Sequence, residues 1–340
     1  MKSCKTLAIA LLVTGGLIVV ACGSKSPTAP TPAGDFASQF DSLWSTFDRE
    51  YSYFEHKRID WNAMRTTYRP RALAAGDQTA FIAVIREMLA NLHDLHVLIR
   101  DPSGAALPTY QPTDFVNWDR AVWQQYVSRA QWTVWGTDSG FGVLDGVPYF
   151  ALGGWDTSRV RTADFDAALE RFRNAPAIVI DVRMNGGGND ALAFEVAGRF
   201  APTTINAGYV KFRNGPAHTD FGSPTTRTVS PRGPWQYTGR VYLLMGKRCA
   251  SSNESFIVAM GTRPNVTLAG DRTIGATGNP GTFNLANGWT YTVSRWIEYT
   301  PENQVIEDNG ITPDVFVAAS AADFAAGRDP VLDWALGQAR

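Results

Sequence analysis

The chain has 340 residues, 44% of them hydrophobic, and a formal net charge of −1. That is material for one large or two ordinary domains with a sizeable core, and the charge balance, with no Lys/Arg cluster among aromatics, gives no footing for nucleic-acid binding. Eleven Trp and 31 Gly point to a loop-rich α/β chain, not a bundle; of three Cys, only Cys249 lies outside the N-terminal segment, so the body holds no internal disulfide.

Met1 to Cys22 reads as a targeting peptide. Lys2 and Lys5 form its charged start and Leu7 to Val20 its apolar stretch, which is short for a membrane span and is interrupted by Thr14-Gly15-Gly16. Val19-Val20-Ala21-Cys22 resembles a lipobox, so Cys22 is the expected lipid attachment point. Residues 23–34, rich in Pro, Ser and Thr, read as a tether. The expected location is the cell envelope, lipid-anchored and facing the periplasm or exterior, at the outer membrane if there are two.

Residues 35–100 read as a helical subdomain. A helix opens at Asp35 with Phe36, Phe40, Leu43 and Phe47 on one face, a second starts near Asp60-Trp61, and a third runs from about Gln78 to Leu92. The segment ends in His93-Asp94-Leu95-His96 before a strand at Val97-Leu98-Ile99. Residues 101–136 are poorly patterned, and their scattered Trp118, Trp123, Trp132 and Trp135 read as packing.

The α/β core is taken as residues 101–320, with the clear α/β rhythm beginning at Gly140. Strands are expected at Val147–Leu152, Ala177–Asp181, Val241–Met245, Val266–Ala269 and Asp314–Val317. Helices are expected over Phe165–Phe172, about Asp190–Phe200, and after Ser251. Residues 202–240 look turn-rich, Trp289–Tyr299 looks like a hairpin arm, and Asp329–Gln338 like a closing helix within a C-terminal piece, 321–340.

Two strand-to-loop-to-helix junctions carry candidate chemistry. At Ala250-Ser251-Ser252-Asn253-Glu254 a serine on a sharp turn could act as a nucleophile beside the free N–H groups of a helix start. The competing reading is a capping box, Ser251 with Glu254. At Asn185-Gly186-Gly187-Gly188 three glycines let the backbone turn its N–H groups inward, as a phosphate cradle or as part of an oxyanion hole. Phosphate binding lacks a GKS/GKT ending or dinucleotide spacing. Of the four histidines, His93 and His96 form an H-x-x-H pair without a third ligand at a persuasive spacing, so no metal and no cofactor is expected. His96, where a helix passes into a strand, is the better general base. Glu307 lies in the loop before the last strand.

The order Leu92-x-Asp94-x-His96, Asp181-Val-Arg-x-Asn-Gly-Gly-Gly188, Ala250-Ser251-x-x-Glu254, Gly270-x-x-Thr273-x-Gly275 and Glu307-x-x-Gly310-Ile-x-Pro313-Asp314 resembles the C-terminal processing (tail-specific) serine peptidase family, over about residues 36–318. The resemblance implies an α/β (α+β) fold, with helices followed by a ClpP/crotonase-like core on a mixed sheet. It makes Ser251 the nucleophile and implies a peptide or unfolded protein as substrate. The processing branch places a Lys after Gly-x-x-Thr-x-Gly, where this chain has Ala276. The likeness therefore shifts to the tricorn-core branch, with His96 as base, Glu307 as its orienting carboxylate, and Gly187 and Ser252 N–H groups as oxyanion donors. No PDZ module fits between Asp101 and Gly136. A non-catalytic binder of a peptide or apolar ligand on the same fold is the alternative.

Overall fold

A computed structural model describes residues 35–340, so the targeting peptide, Cys22 and the whole tether lie outside the described residues. The N-terminal helices are α1 (Phe36–Glu50), α2 (Phe54–Lys57), α3 (Trp61–Leu73) and α4 (Gln78–Ala90). Asp35, Asp60 and Asp77 start α1, α3 and α4 by accepting a backbone N–H three residues on, each at 2.8–2.9 Å, which satisfies donors that have no partner inside the helix. Phe40, Leu43, Phe47, Phe81, Ile85 and Leu89 are buried between them.

Short strands β1 (Leu98–Arg100) and β2 (Ala106–Pro108) follow, then α5 (Arg120–Val127), β3 (Thr133–Gly136), β4 (Ser139–Leu144), β5 (Val147–Ala151), α6 (Thr162–Arg171), β6 (Ala177–Asp181) and α7 (Asp190–Ala197). The second half holds β7 (Ile205–Phe212), β8 (Thr225–Val229), β9 (Arg240–Met245), α8 (Ser252–Gly261), β10 (Val266–Gly270), β11 (Gly281–Asn284), β12 (Thr290–Val293), β13 (Trp296–Tyr299), β14 (Val315–Phe316), α9 (Ala321–Ala325) and α10 (Pro330–Ala339).

The principal sheet has seven strands in the order β14-β10-β9-β6-β5-β4-β3. Strands β5, β6, β9, β10 and β14 run parallel, and β4 and β3 close one edge antiparallel. Its central strands are largely apolar, apart from Asp181 at the end of β6 and Arg240 at the start of β9, because both faces are covered. Ile178, Ile180, Val241 and Leu243 pack toward α6, α7 and α8. Ala177, Val179, Tyr242 and Leu244 pack toward α5 and α10. A second sheet, β11-β12-β1-β2, lies against the N-terminal helices, and a third, β13-β7-β8, completes the fold.

Three expectations change. Residues 101–136 contain a helix, α5, capped by Asp119 accepting from Val122 N–H at 2.9 Å; Trp118, Trp123 and Trp132 pack around it as core. Residues 202–240 contain β7 and β8, which pair across a bulge between Asn206 and Tyr209. Trp289–Tyr299 is a hairpin arm only in its first half, where β12 pairs antiparallel with β11. Strands β12 and β13 belong to different sheets, because the N–H groups of Arg295 and Trp296 leave the first ladder for the carbonyl of Gly278. The core of the N-terminal helices is also not self-contained, since Leu285, Tyr291, Val293 and Ile297 complete it.

Candidate active site

Strands β6 and β9 are neighbours in register, Asp181 opposite Leu244, and both loops of interest leave their carboxyl ends. In open parallel sheets that end is where ligands bind. After β9 the chain turns through Gly246 to Ala250 and reaches Ser251 at φ 57°, ψ −134°. A non-glycine residue in that region carries strain of order 1–3 kcal/mol and persists only when its surroundings impose it. Here the imposed contact is Ser251 N–H to the carbonyl of Ala276 at 2.7 Å.

The capping-box reading fails. Ser251 makes no side-chain cap bond, and Glu254 faces the other way, accepting from Thr273 Oγ1 and, at 2.8 Å each, from the N–H groups of Gly275 and Ala276. Its burial pushes the Glu254 carboxyl up to about 7. Glu254 thus ties α8 to the 273–276 segment that fixes Ser251. The serine opens on a cavity of about 280 Å³ bordered by Gly188, Asn189, Asp190, Thr277, Trp296 and Glu298.

The glycine loop lies directly over the serine. A Cβ on Gly187 would sit 2.7 Å from Ser251 Cβ, at a φ of +105°, so only glycine fits there. Two fully buried asparagines stitch loop to helix. Asn185 Nδ2 donates to Leu152 C=O at 2.9 Å, and Asn253 Nδ2 donates to Asn185 C=O at 3.0 Å. Ser252 Oγ donates to Gly188 C=O at 2.7 Å. The expected oxyanion donors differ in standing. Ser252 N–H belongs to the first turn of α8, where no helical carbonyl can receive it. Gly187 N–H is engaged by Asn185 Oδ1 at 2.8 Å.

His96 lies on the helical side, between α4 and β1, and is not among the residues bordering the cavity at Ser251. Its backbone N–H donates to Asp94 Oδ1 at 2.8 Å, and its ring Nδ1 lies 4.0 Å from the same oxygen. Asp94 is fully buried, and both Asp94 Oδ2 and His96 Nδ1 are buried without a hydrogen-bond partner. Burial, partly offset by Asp94, holds the imidazole below its ordinary value, which favours the neutral ring.

Glu307 is placed differently from expectation. Its Oε1 lies 2.8 Å from Lys57 Nζ, and its Oε2 accepts Thr277 N–H at 2.9 Å. The orienting hydrogen bond from Glu307 to His96 is not formed, and none joins the ring to Ser251; Asp94 is the carboxylate facing Nδ1. Burial and Asp94 push the Glu307 carboxyl up, with Lys57 as the counterweight. Nothing in the sequence marks Lys57, which sits amid an ordinary charged helix end. Asp94, by contrast, stands two residues before the candidate base in the Leu92-x-Asp94-x-His96 block, a place that marks it as a brace for the His96 loop or as an ordinary helix-end polar residue.

The remaining candidates take structural places. His93 is exposed and stacks on Tyr110 with ring centres 5.0 Å apart, so the H-x-x-H pair does not converge. No group of three His, Cys, Asp or Glu suited to a metal occurs among the described residues. Cys249 is buried, with Sγ donating to Val182 C=O at 3.2 Å and its thiol pushed up by burial. Ala276, where the processing branch has its lysine, is 3% exposed.

A family model described as peptidase family S41 matches residues 148–317, and one for the tricorn protease C1 domain matches residues 32–90. No curated protein sequence matches the chain. A candidate peptidase from Parabacteroides merdae is similar in structure at 27% identity and TM-score 0.80, covering 89% of this chain and 96% of that one. Mature CPAF complexed with lactacystin aligns at 10% identity and TM-score 0.66, over 89% of this chain and 97% of that one. The tricorn protease aligns at 13% and TM-score 0.59, over 89% of this chain and 36% of its own. At those identities the last two show the fold alone.

Proposed function

The chain belongs to peptidase family S41, and from that premise we propose that it hydrolyses peptide bonds through an acyl-enzyme on Ser251. The observation that carries this is Ser251 itself: a strained residue at the start of α8, its hydroxyl free of the helix, facing a cavity under the glycine loop. Ser251 Oγ attacks the peptide carbonyl. His96, held neutral by its surroundings, accepts the hydroxyl proton and returns it to the leaving amine. Asp94, 4.0 Å from the ring Nδ1, faces the imidazolium that forms in between. Ser252 N–H receives the oxyanion, and Gly187 N–H joins it by exchanging Asn185 Oδ1 for the developing charge. Such a donor is worth about two to three orders of magnitude in rate. The open contacts at His96 are compatible with this reading, because catalytic hydrogen bonds often tighten only around substrate.

The test is covalent labelling with a fluorophosphonate probe. Wild type should be modified at Ser251, and Ser251→Ala should not. An unmodified wild type would leave a non-catalytic binder of peptides or apolar ligands. We also propose that Cys22 carries a lipid and holds the body at the envelope, on the strength of Val19–Cys22 alone. Expressed in a bacterium fed radiolabelled palmitate, the full chain should take up label and Cys22→Ala should not. A wild type without label sinks the anchor.

A further inference from the structure

The cavity beside Ser251 has charged walls that acyl transfer itself does not use. Two of the residues bordering it carry charge, Asp190 and Glu298, and both are acids; among the described residues no Lys, Arg or His borders it. Asp190 opens α7 just past the glycine loop. Trp296 and Glu298 stand two apart on β13, so their side chains leave the same face of that strand. Glu298 is 1% exposed, and a buried carboxylate is costly unless it is paired.

The pairing comes from Arg227 of β8. Its guanidinium lies against two rings, 4.7 Å from the centre of Phe194 and 5.1 Å from that of Trp296. Nη1 donates to Glu298 Oε1 and, at 2.8 Å, to Ser255 Oγ, while Nη2 donates to Asp190 Oδ2 at 2.7 Å. Ser255 Oγ donates in turn to Glu298 Oε1 at 2.8 Å. One guanidinium thus serves two carboxylates, and the group keeps one negative charge in excess. Both of these bonds to the Glu298 carboxylate end on Oε1, which leaves Oε2 for the cavity. Ser255 also sets the distance to the nucleophile. Its N–H donates to Ser251 C=O at 3.3 Å, so the two serines stand one helical turn apart, roughly 5–6 Å between Cβ atoms.

We propose that this cavity receives the side chain of the residue whose carbonyl Ser251 attacks, and that Glu298 and Asp190 select a basic one, lysine or arginine. This rests on the Ser251 reading above. Ser251 and Ser252, the nucleophile and an oxyanion donor, border the same space as the two acids, so the side chain nearest the attacked carbonyl is the one that enters it. At about 280 Å³ the cavity has room for one long side chain. A lysine's flexible four-carbon stem is long enough to carry its ammonium one helical turn along, to Glu298. There the cation cancels the charge that Arg227 leaves over. An acidic side chain meets like charge, and an apolar one strips water from Oε2 and returns no hydrogen bond. Burial raises the Glu298 carboxyl, and Arg227 and Ser255 draw it back.

The experiment measures labelling of Ser251 in the full chain at about pH 8, above the usual carboxylate range. The probes are peptidyl diphenyl phosphonates that differ only in the residue at phosphorus, an analogue of lysine, norleucine or glutamate. Norleucine keeps the four-carbon stem and lacks the ammonium. The lysine probe should label about tenfold faster than the norleucine probe or more, and the glutamate probe slowest. In Glu298→Gln the lysine-to-norleucine ratio should fall about tenfold, and in Asp190→Asn it should fall as well. A mere fastening of β8 to β13 would slow both probes alike and leave the ratio in place. Urea unfolding establishes that each variant is folded, and Asp190→Asn, at a half-buried position, carries the test if Glu298→Gln is not. A wild type that takes the lysine probe no faster than the norleucine probe overturns the proposal, as does a ratio unchanged in the folded variants. A wild type that takes neither these probes nor the fluorophosphonate overturns the Ser251 reading instead.

Discussion

Glu254 is the residue whose sequence reading and structural place differ most. At three positions after a serine it looked like half of a capping box. Instead it is fully enclosed and accepts three donors from the 273–276 segment. Because burial raises its carboxyl to about 7, the folded state prefers the protonated form. Its contribution to stability is therefore complete below the unfolded carboxylate value and is lost as pH rises through about 7. A shift of that size corresponds to at most about 3 kcal/mol. Glu254→Gln, which cannot ionise, should show a smaller fall in unfolding free energy between about pH 5 and 8 than wild type, as read from urea titrations at each pH. Parallel pH dependences in the two proteins would refute the assignment. Gly187 shows the same scale from the other side: its lack of a side chain is what allows the loop to lie on Ser251.

Among the elements, β6 and β9 decide most. Each is a short apolar strand ending in a turn to a helix, and pairing them in parallel puts both turns at one edge of the sheet. The strand-to-loop passage after β6 is anchored by Arg183, which is fully buried and bonded to Asp181, to Asp329 at the start of α10, and to Asn117 C=O. The Asp-Val-Arg run that helped mark the family is thus a clamp between the sheet and the last helix. Removing one partner of a buried ion pair typically costs about 3–5 kcal/mol. Arg183→Met should lose that much by urea unfolding, with hydrogen exchange rising first in α10. A variant within about 1 kcal/mol of wild type would show that the clamp adds little.

Across the whole molecule, the helical part and the α/β part are not independent. Residues 285–297 return to finish the core of the N-terminal helices, and Lys57 and Tyr53 reach from that side into the loops of the sheet. The helices α1, α3 and α4 and the strands β6 and β9 were legible because their apolar spacing and Asp caps are local signals. Helix α5 and strands β7 and β8 were not, because Trp-rich and Pro-rich segments carry no clean period and are ordered by what they pack against. Ser251 and the glycine loop stood out as candidates at two strand-to-helix turns, but the choice of nucleophile over helix cap came from the resemblance carried by the ordered blocks, and the strain at Ser251 shows only in the fold.

What the sequence by itself determined was the list of parts: a serine at a strand-to-helix turn, a glycine loop, an imidazole after a helix, and a missing lysine at Ala276. Their periodicities and short motifs depend only on neighbours along the chain. Which charges meet was decided by the tertiary structure. Glu307 pairs with Lys57 and Asp94 faces His96, because buried charges must find partners, and the partners available are set by how remote segments pack.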